Sequence, residues 1–347
     1  MERRQFLRMA GAAGGYAVAH GILQAGMSGT EAGELPRRKL GRTGEKVSII
    51  GFPGLALVHQ DQAPCTEALH KAFDQGVNYY DVAPAYGRGD AEIKMGVGLQ
   101  GLDRSRLFLA CKTKMRDRQG AREELERSLK RLKTDHFDLY QMHVLRTPEE
   151  VEQAFGPDGA METFLKARDE GKVRYLGFSA HTTKGALEAM KRFRFDTVMF
   201  PINFIEFYQL RFGGPVIDLA NEQGAAVVAI KPMCGGTWPQ GAERTRQWWY
   251  RPLEDQEQID MAIRFTLSQP GVAAGFPPAF LDLAEKAIEA GRRYRPITEA
   301  ELAVLREMSS ECGSVFRRQE EQVACGQPLG APLYPDSPHE CDWTATA

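Results

Sequence analysis

Short apolar runs alternate with amphipathic segments from about Arg38 to Ala290. The runs are apolar almost throughout, as is typical of parallel strands that are buried on both faces. Runs of this kind predict eight strands: Val47–Ile50, Val77–Asp81, Leu107–Cys111, Phe137–Gln141, Val173–Phe178, Thr197–Phe200, Ala226–Ile230 and Val272–Phe276.

Helical spacing of apolar side chains separates the strands. In Arg122–Leu132, for example, Leu125 and Leu129 fall on one face with Leu132. The other predicted helices are Cys65–Gln75, one beginning at Ala91–Met95, Ala160–Asp169, Lys184–Lys191, Val216–Gln223, Gln258–Leu267, Leu281–Ala290 and Glu299–Met308. Eight strand–helix units without a linker favour an α/β fold of the (β/α)8 TIM-barrel type over an open sheet. We predict this barrel over residues 34–295 and a helical or irregular extension over 296–347.

The first 33 residues are predicted to be an export signal rather than part of the fold. Arg3 and Arg4 precede Phe6 and Leu7, and a weakly apolar stretch rich in Gly and Ala follows. This arrangement resembles a twin-arginine signal, although Glu2 stands where Ser or Thr is usual. We therefore expect the twin-arginine translocase as a partner and a periplasmic or otherwise exported location. A basic helix start is the alternative interpretation.

Composition excludes several classes of protein. Lys and Arg number 44 against 46 Asp and Glu, so the net charge of −2 gives no reason to expect nucleic-acid binding. No apolar run reaches the roughly 18 residues of a membrane span. Cys312, Cys325 and Cys341 lie too far apart for a ferredoxin-type cluster, so we predict no metal site, and one disulfide is plausible.

Three ionisable residues recur at one interval. Asp81, Lys112 and His143 follow or end neighbouring predicted strands and lie 31 residues apart. One unit of an eight-unit barrel is about 31 residues long, so we expect these side chains at one level of the C-terminal mouth, where barrel active sites lie. Tyr86 follows Asp81 closely enough for a short loop to fold it over the same mouth.

This set of side chains points to proton exchange with an oxygen atom on carbon. A Lys ammonium near a Tyr hydroxyl stabilises the phenolate and lowers its pKa, and an Asp keeps the Lys charged. A His can hydrogen-bond the substrate oxygen. Interconversion of a carbonyl and an alcohol also needs a hydride, which side chains do not supply, so a nicotinamide is implied.

Several motifs together resemble the aldo-keto reductase superfamily. They are Arg38–Gly44, Gly76–Asp81 with Tyr86-Gly87, Leu109–Thr113, Phe137–His143 and Gly171–Ser179. The resemblance implies a (β/α)8 barrel, a cofactor that is NADP or NAD, and Asp81, Tyr86, Lys112 and His143 as the catalytic residues. It further implies a cofactor site that includes Ser179, Asn203, Lys231 and Phe276.

Three departures from the family pattern affect the cofactor site. Met199 stands where Gln is usual, and Ile230 stands where a Tyr usually stacks on the nicotinamide. The segment after the eighth strand contains Pro277 and Pro278 and neither Lys nor Arg, so the usual grip on a 2′-phosphate is missing. These departures leave NAD and NADP both open.

Two further patterns have alternative interpretations. A long loop after the seventh strand carries Trp238, Trp248 and Trp249, which form either an aromatic platform for a sugar ring or cofactor, or a hydrophobic cluster that anchors the loop. The Gly96–Gly101 segment matches G-x-G-x-x-G, but it follows a helix and precedes a strand, the opposite of the dinucleotide-binding order, and is predicted as a helix end.

The sequence thus predicts an exported aldo-keto reductase-like oxidoreductase. It would interconvert a carbonyl and an alcohol with a tightly held nicotinamide, because no free pool of this cofactor exists outside the cytoplasm. A small carbonyl or sugar-like compound is the expected substrate, with oxidation of a sugar or polyol the sharper hypothesis. The alternative is a non-catalytic barrel that binds a ligand or partner after losing the usual cofactor site.

Overall fold

A computed structural model describes residues 34–58 and 60–329. Eight parallel strands form one sheet in the order β10-β9-β8-β7-β6-β5-β4-β3, and β1 and β2 form an antiparallel pair. The strands are β1 Arg37–Lys39, β2 Lys46–Ser48, β3 Phe52–Pro53, β4 Tyr79–Asp81, β5 Phe108–Thr113, β6 Phe137–Leu145, β7 Val173–Ala180, β8 Thr197–Pro201, β9 Ala226–Ile230 and β10 Val272–Phe276.

Helices surround the sheet and follow most of its strands. They are α1 Gln62–Asp74, α2 Asp90–Gly98, α3 Arg118–Leu132, α4 Pro148–Phe155, α5 Ala160–Asp169, α6 Thr183–Arg192, α7 Phe204–Leu210, α8 Gly214–Gln223, α9 Gln256–Leu267, α10 Leu281–Arg292, α11 Glu299–Ser310 and α12 Arg317–Ala324. The predicted (β/α)8 barrel is confirmed.

The first predicted strand needs a correction. Instead of forming one barrel strand, Val47–Ile50 divides between two roles. Its first half lies in β2, which pairs with β1. Its second half closes the barrel, because Gly275 N donates to Ile49 O at 2.8 Å and Gly51 N donates to Gly275 O at 3.1 Å.

The β1–β2 pair closes the lower end of the barrel. Leu40 and Val47 are fully buried there and join the apolar side chains inside the barrel, among them Tyr79, Phe108 and Leu139. A second, larger core lies between the sheet and the helices. With its interior filled by side chains, the barrel leaves only the opposite, C-terminal end of the strands for a site.

Local signals explain where individual helices begin and end. In α3, the Asp117 carboxylate accepts from Gly120 N at 2.7 Å, and Lys133 ends the helix in the left-handed conformation. The predicted helix end at Gly96–Gly101 is confirmed, since α2 ends at Gly98. A side chain at Gly96 would collide with the backbone of Arg131, so this glycine allows α2 to pack closely on α3.

The C-terminal extension returns to the mouth of the barrel. Gln209 Nε2 donates to the carbonyls of Ser309 and Cys312, each at 2.6 Å. The buried Glu206 carboxylate accepts from Ser314 Oγ and Val315 N, also at 2.6 Å. Helix α12, which had no sequence prediction, follows these contacts.

Both predicted termini lie partly or wholly outside the described residues. The twin-arginine signal over residues 1–33 is outside them, and so is Cys341. Within the described part of the chain, no helix has the length and apolar character needed to cross a bilayer.

Candidate active site

The predicted catalytic residues come together at the C-terminal end of the barrel, but not in register. Asp81 pairs with Ala110, which lies two residues before Lys112 on β5. Lys112 pairs with Gln141, which lies two residues before His143 on β6. The expectation of one level is corrected accordingly. Strands in a closed barrel are tilted, which offsets part of this stagger.

A buried ion pair forms the base of the site. The Lys112 ammonium donates to Asp81 Oδ1, and both residues are almost completely buried. Gln141 Nε2 donates to the other Asp81 oxygen at 3.0 Å. Gln141 is therefore a site residue that sequence reasoning missed, although it lies two positions before His143 on the same face of β6.

Tyr86 and His143 lie against this pair. Tyr86 starts a short 3-10 turn directly after the β4 loop, which folds the ring back over the mouth. The Lys112 Nζ atom is 5.0 Å from the centroid of the Tyr86 ring, close enough for the ammonium to act electrostatically on the phenol. The rings of Tyr86 and His143 meet edge to face with centroids 5.6 Å apart.

The ion pair and the low-dielectric surroundings shift the pKa values in this group. Burial raises the pKa of the Tyr86 phenol above its ordinary value, although the Lys112 ammonium opposes the shift. Burial alone would lower the pKa of Lys112, but Asp81 and Tyr86 together raise it. The predicted effect of Lys112 on the Tyr86 pKa has the right sign, yet burial outweighs it, and the phenol keeps its proton at neutral pH.

A strained bulge holds His143 in place. Val144 has φ of +58°, which is rare for a β-branched residue, and the β6–β7 register shifts at this point. Arg116 Nη2 donates to the carbonyls of His143 and Val144 at 2.7 and 3.0 Å. Ser179 Oγ accepts from Val144 N at 2.8 Å. Arg116 is the second site residue that sequence reasoning missed.

A cavity of about 610 Å³, including the open space at its mouth, lies above the catalytic residues. All four predicted catalytic residues line it, together with the predicted cofactor residues Ser179, Lys231 and Phe276. The three departures also line it, namely Met199, Ile230 and the pair Pro277-Pro278.

The loop after β9, residues 231–255, forms one wall of the cavity. Trp248 and Trp249 line the cavity and are nearly buried, which agrees with a hydrophobic cluster that anchors the loop, and the aromatic platform stays a prediction. Trp238 does not line it and instead donates from Nε1 to Trp248 O at 2.7 Å. Arg246 attaches the loop to α10, with Nη1 at 3.0 Å from Asp282 Oδ1.

Asn203 has a structural role at the start of α7. Its side chain is fully buried and does not line the cavity, and its Oδ1 accepts from Glu206 N at 3.0 Å. Asn203 is thus the N-cap of α7. This position supports the helix that holds the C-terminal extension, and the contact of Asn203 with a cofactor stays a prediction.

Lys231 and His181 form a second polar group in the cavity. Lys231 directly follows β9, and its Nζ atom lies 3.2 Å from His181 Nε2. Both side chains are buried, and both line the cavity. Burial lowers the pKa of Lys231 to about 7, against the opposing effect of the Cys234 thiol.

No cluster of His, Cys, Asp and Glu in the described segments is arranged to hold a metal ion. Cys312 and Cys325 are free thiols. The titratable groups that line the cavity are two phenols, two imidazoles, two amines and a carboxylate.

Known proteins are similar to this chain in sequence and in fold. The Aldo/keto reductase family matches residues 56–304. The uncharacterized oxidoreductase YqkF of Bacillus subtilis is 26% identical over 303 residues, which cover 78% of this chain and 95% of that protein. The 6-dehydroglucose reductase of Novosphingobium aromaticivorans is 32% identical over 222 residues, or 57% of this chain and 69% of that protein.

A solved structure is similar over most of the chain. The holo form of the aldo-keto reductase AKR11C1 from Bacillus halodurans has a TM-score of 0.63 and 23% identity. The similarity covers 81% of this chain and 99% of that one. With the matched family and the arrangement at the barrel mouth, the conclusion is that the chain belongs to the aldo/keto reductase family and is an oxidoreductase.

Proposed function

We propose that this protein interconverts a carbonyl and an alcohol with NADP or NAD as cofactor, and that Tyr86 is the general acid and base. One observation carries the proposal. The Tyr86 ring lies against Lys112, which is ion-paired with Asp81, and beside His143 at the base of the cavity. A phenol with an ammonium and an imidazole at its side has the groups needed to exchange a proton with a bound oxygen.

Each side chain has a separate task in carbonyl reduction. When bound, the nicotinamide supplies the hydride that adds to the carbonyl carbon. The Tyr86 hydroxyl gives its proton to the carbonyl oxygen as negative charge develops there. The Lys112 ammonium stabilises the phenolate left behind, and Asp81 keeps that ammonium charged and in position. His143 orients the carbonyl by a hydrogen bond to its oxygen.

The protonation state of Tyr86 links the direction of reaction to pH. Burial raises the pKa of this phenol, so it is a proton donor at neutral pH. Reduction of a carbonyl uses this form. Oxidation of an alcohol uses the phenolate instead, so the oxidative rate is expected to increase as pH rises.

The described residues fit the nicotinamide end of the cofactor better than they fit a 2′-phosphate. The Ser179 hydroxyl accepts from Val144, and its own O–H can donate to a carboxamide oxygen. The segment Gly275–Phe280 contains no Lys or Arg. The nearby Arg246 is already bound to Asp282 and Glu254. This arrangement gives NADP no advantage over NAD.

A sugar or polyol is the proposed substrate. Trp248 and Trp249 present aromatic surface to the cavity, and such rings pack well against the C–H faces of a sugar. Two relatives have sugar substrates in their names, the 6-dehydroglucose reductase above and L-galactose dehydrogenase of Arabidopsis thaliana. We also propose export to the periplasm by the twin-arginine translocase, which the sequence of residues 1–33 supports. An exported enzyme would need a tightly held cofactor.

A binding barrel without catalysis is the second candidate. Met199 and Ile230 bring apolar surface into the cavity, and Pro277 and Pro278 offer no N–H to a phosphate. These are the observations that favour loss of the cofactor site.

The test uses the purified full-length chain. NADPH and NADH are titrated by fluorescence, and turnover of aldoses and polyols is followed by nicotinamide absorbance from pH 6 to pH 10. The proposal predicts dinucleotide binding and turnover in at least one direction. Ligand binding without dinucleotide binding or turnover would support the second candidate instead. Small molecules released from protein exported by its own signal and analysed by mass spectrometry should include a nicotinamide dinucleotide.

A further inference from the structure

Two buried basic groups meet in the cavity away from the catalytic tyrosine. The Lys231 Nζ atom lies 3.2 Å from His181 Nε2. Lys231 follows β9 and His181 follows β7, so the contact spans the end of β8. Both residues line the same cavity as Tyr86 and His143. The chemistry proposed above uses neither of them.

The surroundings of Lys231 are aromatic. Its Nζ atom lies 5.5 Å from the centroids of both the Trp249 ring and the Phe316 ring. The C-terminal extension brings Phe316 to this position, where it also contacts the His181 ring at 5.6 Å. Such rings attract a cation but do not neutralise it, so the ammonium keeps its capacity to pair with an anion.

Lys231 has no carboxylate partner in the described part of the chain. The titratable groups that face it are His181 and, from its own loop, the Cys234 thiol. Glu206 acts on Cys234, and its carboxylate is bound to Ser314 and Val315. A buried lysine without a counter-ion is unusual, since buried charges are normally paired.

The contact with His181 directs the ammonium from the end of β9 across β8 towards the end of β7. In the strand order β10-β9-β8-β7-β6, β7 is the neighbour of β6, the strand that carries His143. The segment after β10, where the family resemblance expects the nucleotide phosphate, lies on the other side of β9. An anion bound to Lys231 and His181 would thus approach Tyr86 from the β7 side.

We propose that Lys231 and His181 form an anion subsite that binds the carboxylate of the substrate, so that the preferred substrate is a sugar acid rather than a neutral sugar. This inference rests on the proposed function and names its substrate class. A carboxylate there would supply the missing counter-ion of the lysine and accept hydrogen bonds from both side chains.

Binding of an anion should also change the protonation of the subsite. Burial lowers the pKa of Lys231 to about 7, so at pH 8 the free protein holds this amine mostly uncharged. A carboxylate favours the charged form and raises the pKa again. At pH 8 the complex should take up about 0.9 proton per site, if Lys231 alone titrates.

The test measures binding by calorimetry and does not depend on turnover. The full-length protein is titrated with D-glucuronate and with D-glucose at pH 8, in HEPES and in Tris, whose different ionisation enthalpies report proton uptake. Lys231→Met removes the charge and keeps the length of the side chain. Lys191→Met, at an exposed lysine on α6, is the matched control.

We expect D-glucuronate to bind at least about tenfold more tightly than D-glucose, with proton uptake, and Lys231→Met to lose both effects while Lys191→Met keeps them. Equal affinity for the two sugars, or D-glucuronate binding that Lys231→Met leaves unchanged, would overturn the proposal. The wild-type selectivity and proton uptake decide the question even where Lys231→Met fails to fold.

A parallel titration with NADP⁺ distinguishes a substrate carboxylate from a cofactor phosphate. If Lys231→Met weakens NADP⁺ binding tenfold and leaves D-glucuronate binding intact, the anion belongs to the cofactor and the substrate assignment is overturned. Lys231-dependent D-glucuronate binding without dinucleotide-dependent turnover would leave the subsite standing and refute the proposed function. Turnover without a preference for D-glucuronate would support the proposed function and refute the anion subsite.

Discussion

The substitution Asp81→Asn separates the electrostatic support of the site from its shape. In the wild-type protein, the buried Lys112 ammonium donates to one Asp81 oxygen, and Gln141 donates to the other at 3.0 Å. An asparagine has almost the same volume but carries no charge and has only one acceptor oxygen. It therefore leaves Lys112 without its counter-ion. One of its two former acceptor positions becomes an N–H donor, which then faces another donor, the Gln141 amide.

The expected loss of stability follows from the burial of both partners. Removing one member of a buried ion pair typically costs about 3–5 kcal/mol, because an uncompensated charge stays behind. Lys112 has no measurable exposure and Asp81 is 4% exposed, so water would hardly solvate the ammonium that is left unpaired. We expect the free energy of unfolding at pH 7 to fall by about this amount.

The pH dependence should reverse in the variant. Asp81 and Tyr86 raise the pKa of Lys112 in the folded wild-type protein, so its contribution to stability is complete below the unfolded pKa and is lost as pH rises through the folded pKa. Without Asp81, burial is expected to lower the folded pKa of Lys112. The variant should then gain stability as pH rises from that lowered pKa towards about 10.4, the ordinary lysine pKa.

Urea unfolding of both proteins between pH 6 and pH 10 measures these effects. The surface pair of Glu188 with Arg192, at 3.3 Å, provides a control, and Glu188→Gln should cost less than about 0.5 kcal/mol. A loss below about 1 kcal/mol for Asp81→Asn, or parallel pH profiles for the two proteins, would refute the assigned role of the buried pair.

Three further substitutions test other parts of the structure. Lys133→Gly should stabilise the protein by about 0.5–1 kcal/mol in urea unfolding, because Lys133 is exposed and ends α3 at φ +53°. Ser179→Ala should cost about 1–3 kcal/mol, since it leaves the buried Val144 N–H without its acceptor, whereas Ser179→Thr should keep most of the bond. Arg246→Ala should speed hydrogen exchange at Trp248 without global unfolding, because it releases the loop from Asp282, and unchanged exchange would contradict that attachment.

The strand and helix pattern was predictable where apolar residues alone decide the structure. Seven predicted strands occupy the barrel positions expected of them, because buried parallel strands have continuous apolar runs. The prediction of one strand over Val47–Ile50 was wrong, because these apolar residues suit both the β1–β2 pair and the closing edge of the barrel at Ile49. Which partner an apolar run meets depends on distant strands, and local sequence does not carry that information.

The candidate site was predictable in its principal residues but not in its supports. Regular spacing led to Asp81, Lys112 and His143, and the structure brings them together with a two-residue stagger. Gln141 and Arg116 were missed because their roles depend on contacts across neighbouring strands. Contacts of this kind leave no periodic pattern in the sequence.

Asn203 and His181 illustrate the limits of assigning a role from motif position. Asn203 matches the family pattern for a cofactor contact, and the structure adds that its side chain caps α7, which the motif did not indicate. Only the fold shows that His181 lies 3.2 Å from Lys231, fifty residues further along the chain. A pairing over that distance comes from the barrel geometry rather than from any local signal.

The turnover number of Tyr86→Phe measures whether Tyr86 transfers the proton. The variant removes one hydroxyl beside Lys112 and keeps the ring against His143, and Tyr208→Phe on α7 serves as the control. We expect kcat for Tyr86→Phe to fall by at least about 100-fold while the dinucleotide dissociation constant changes less than about threefold. A kcat within about tenfold of the wild-type value would contradict it.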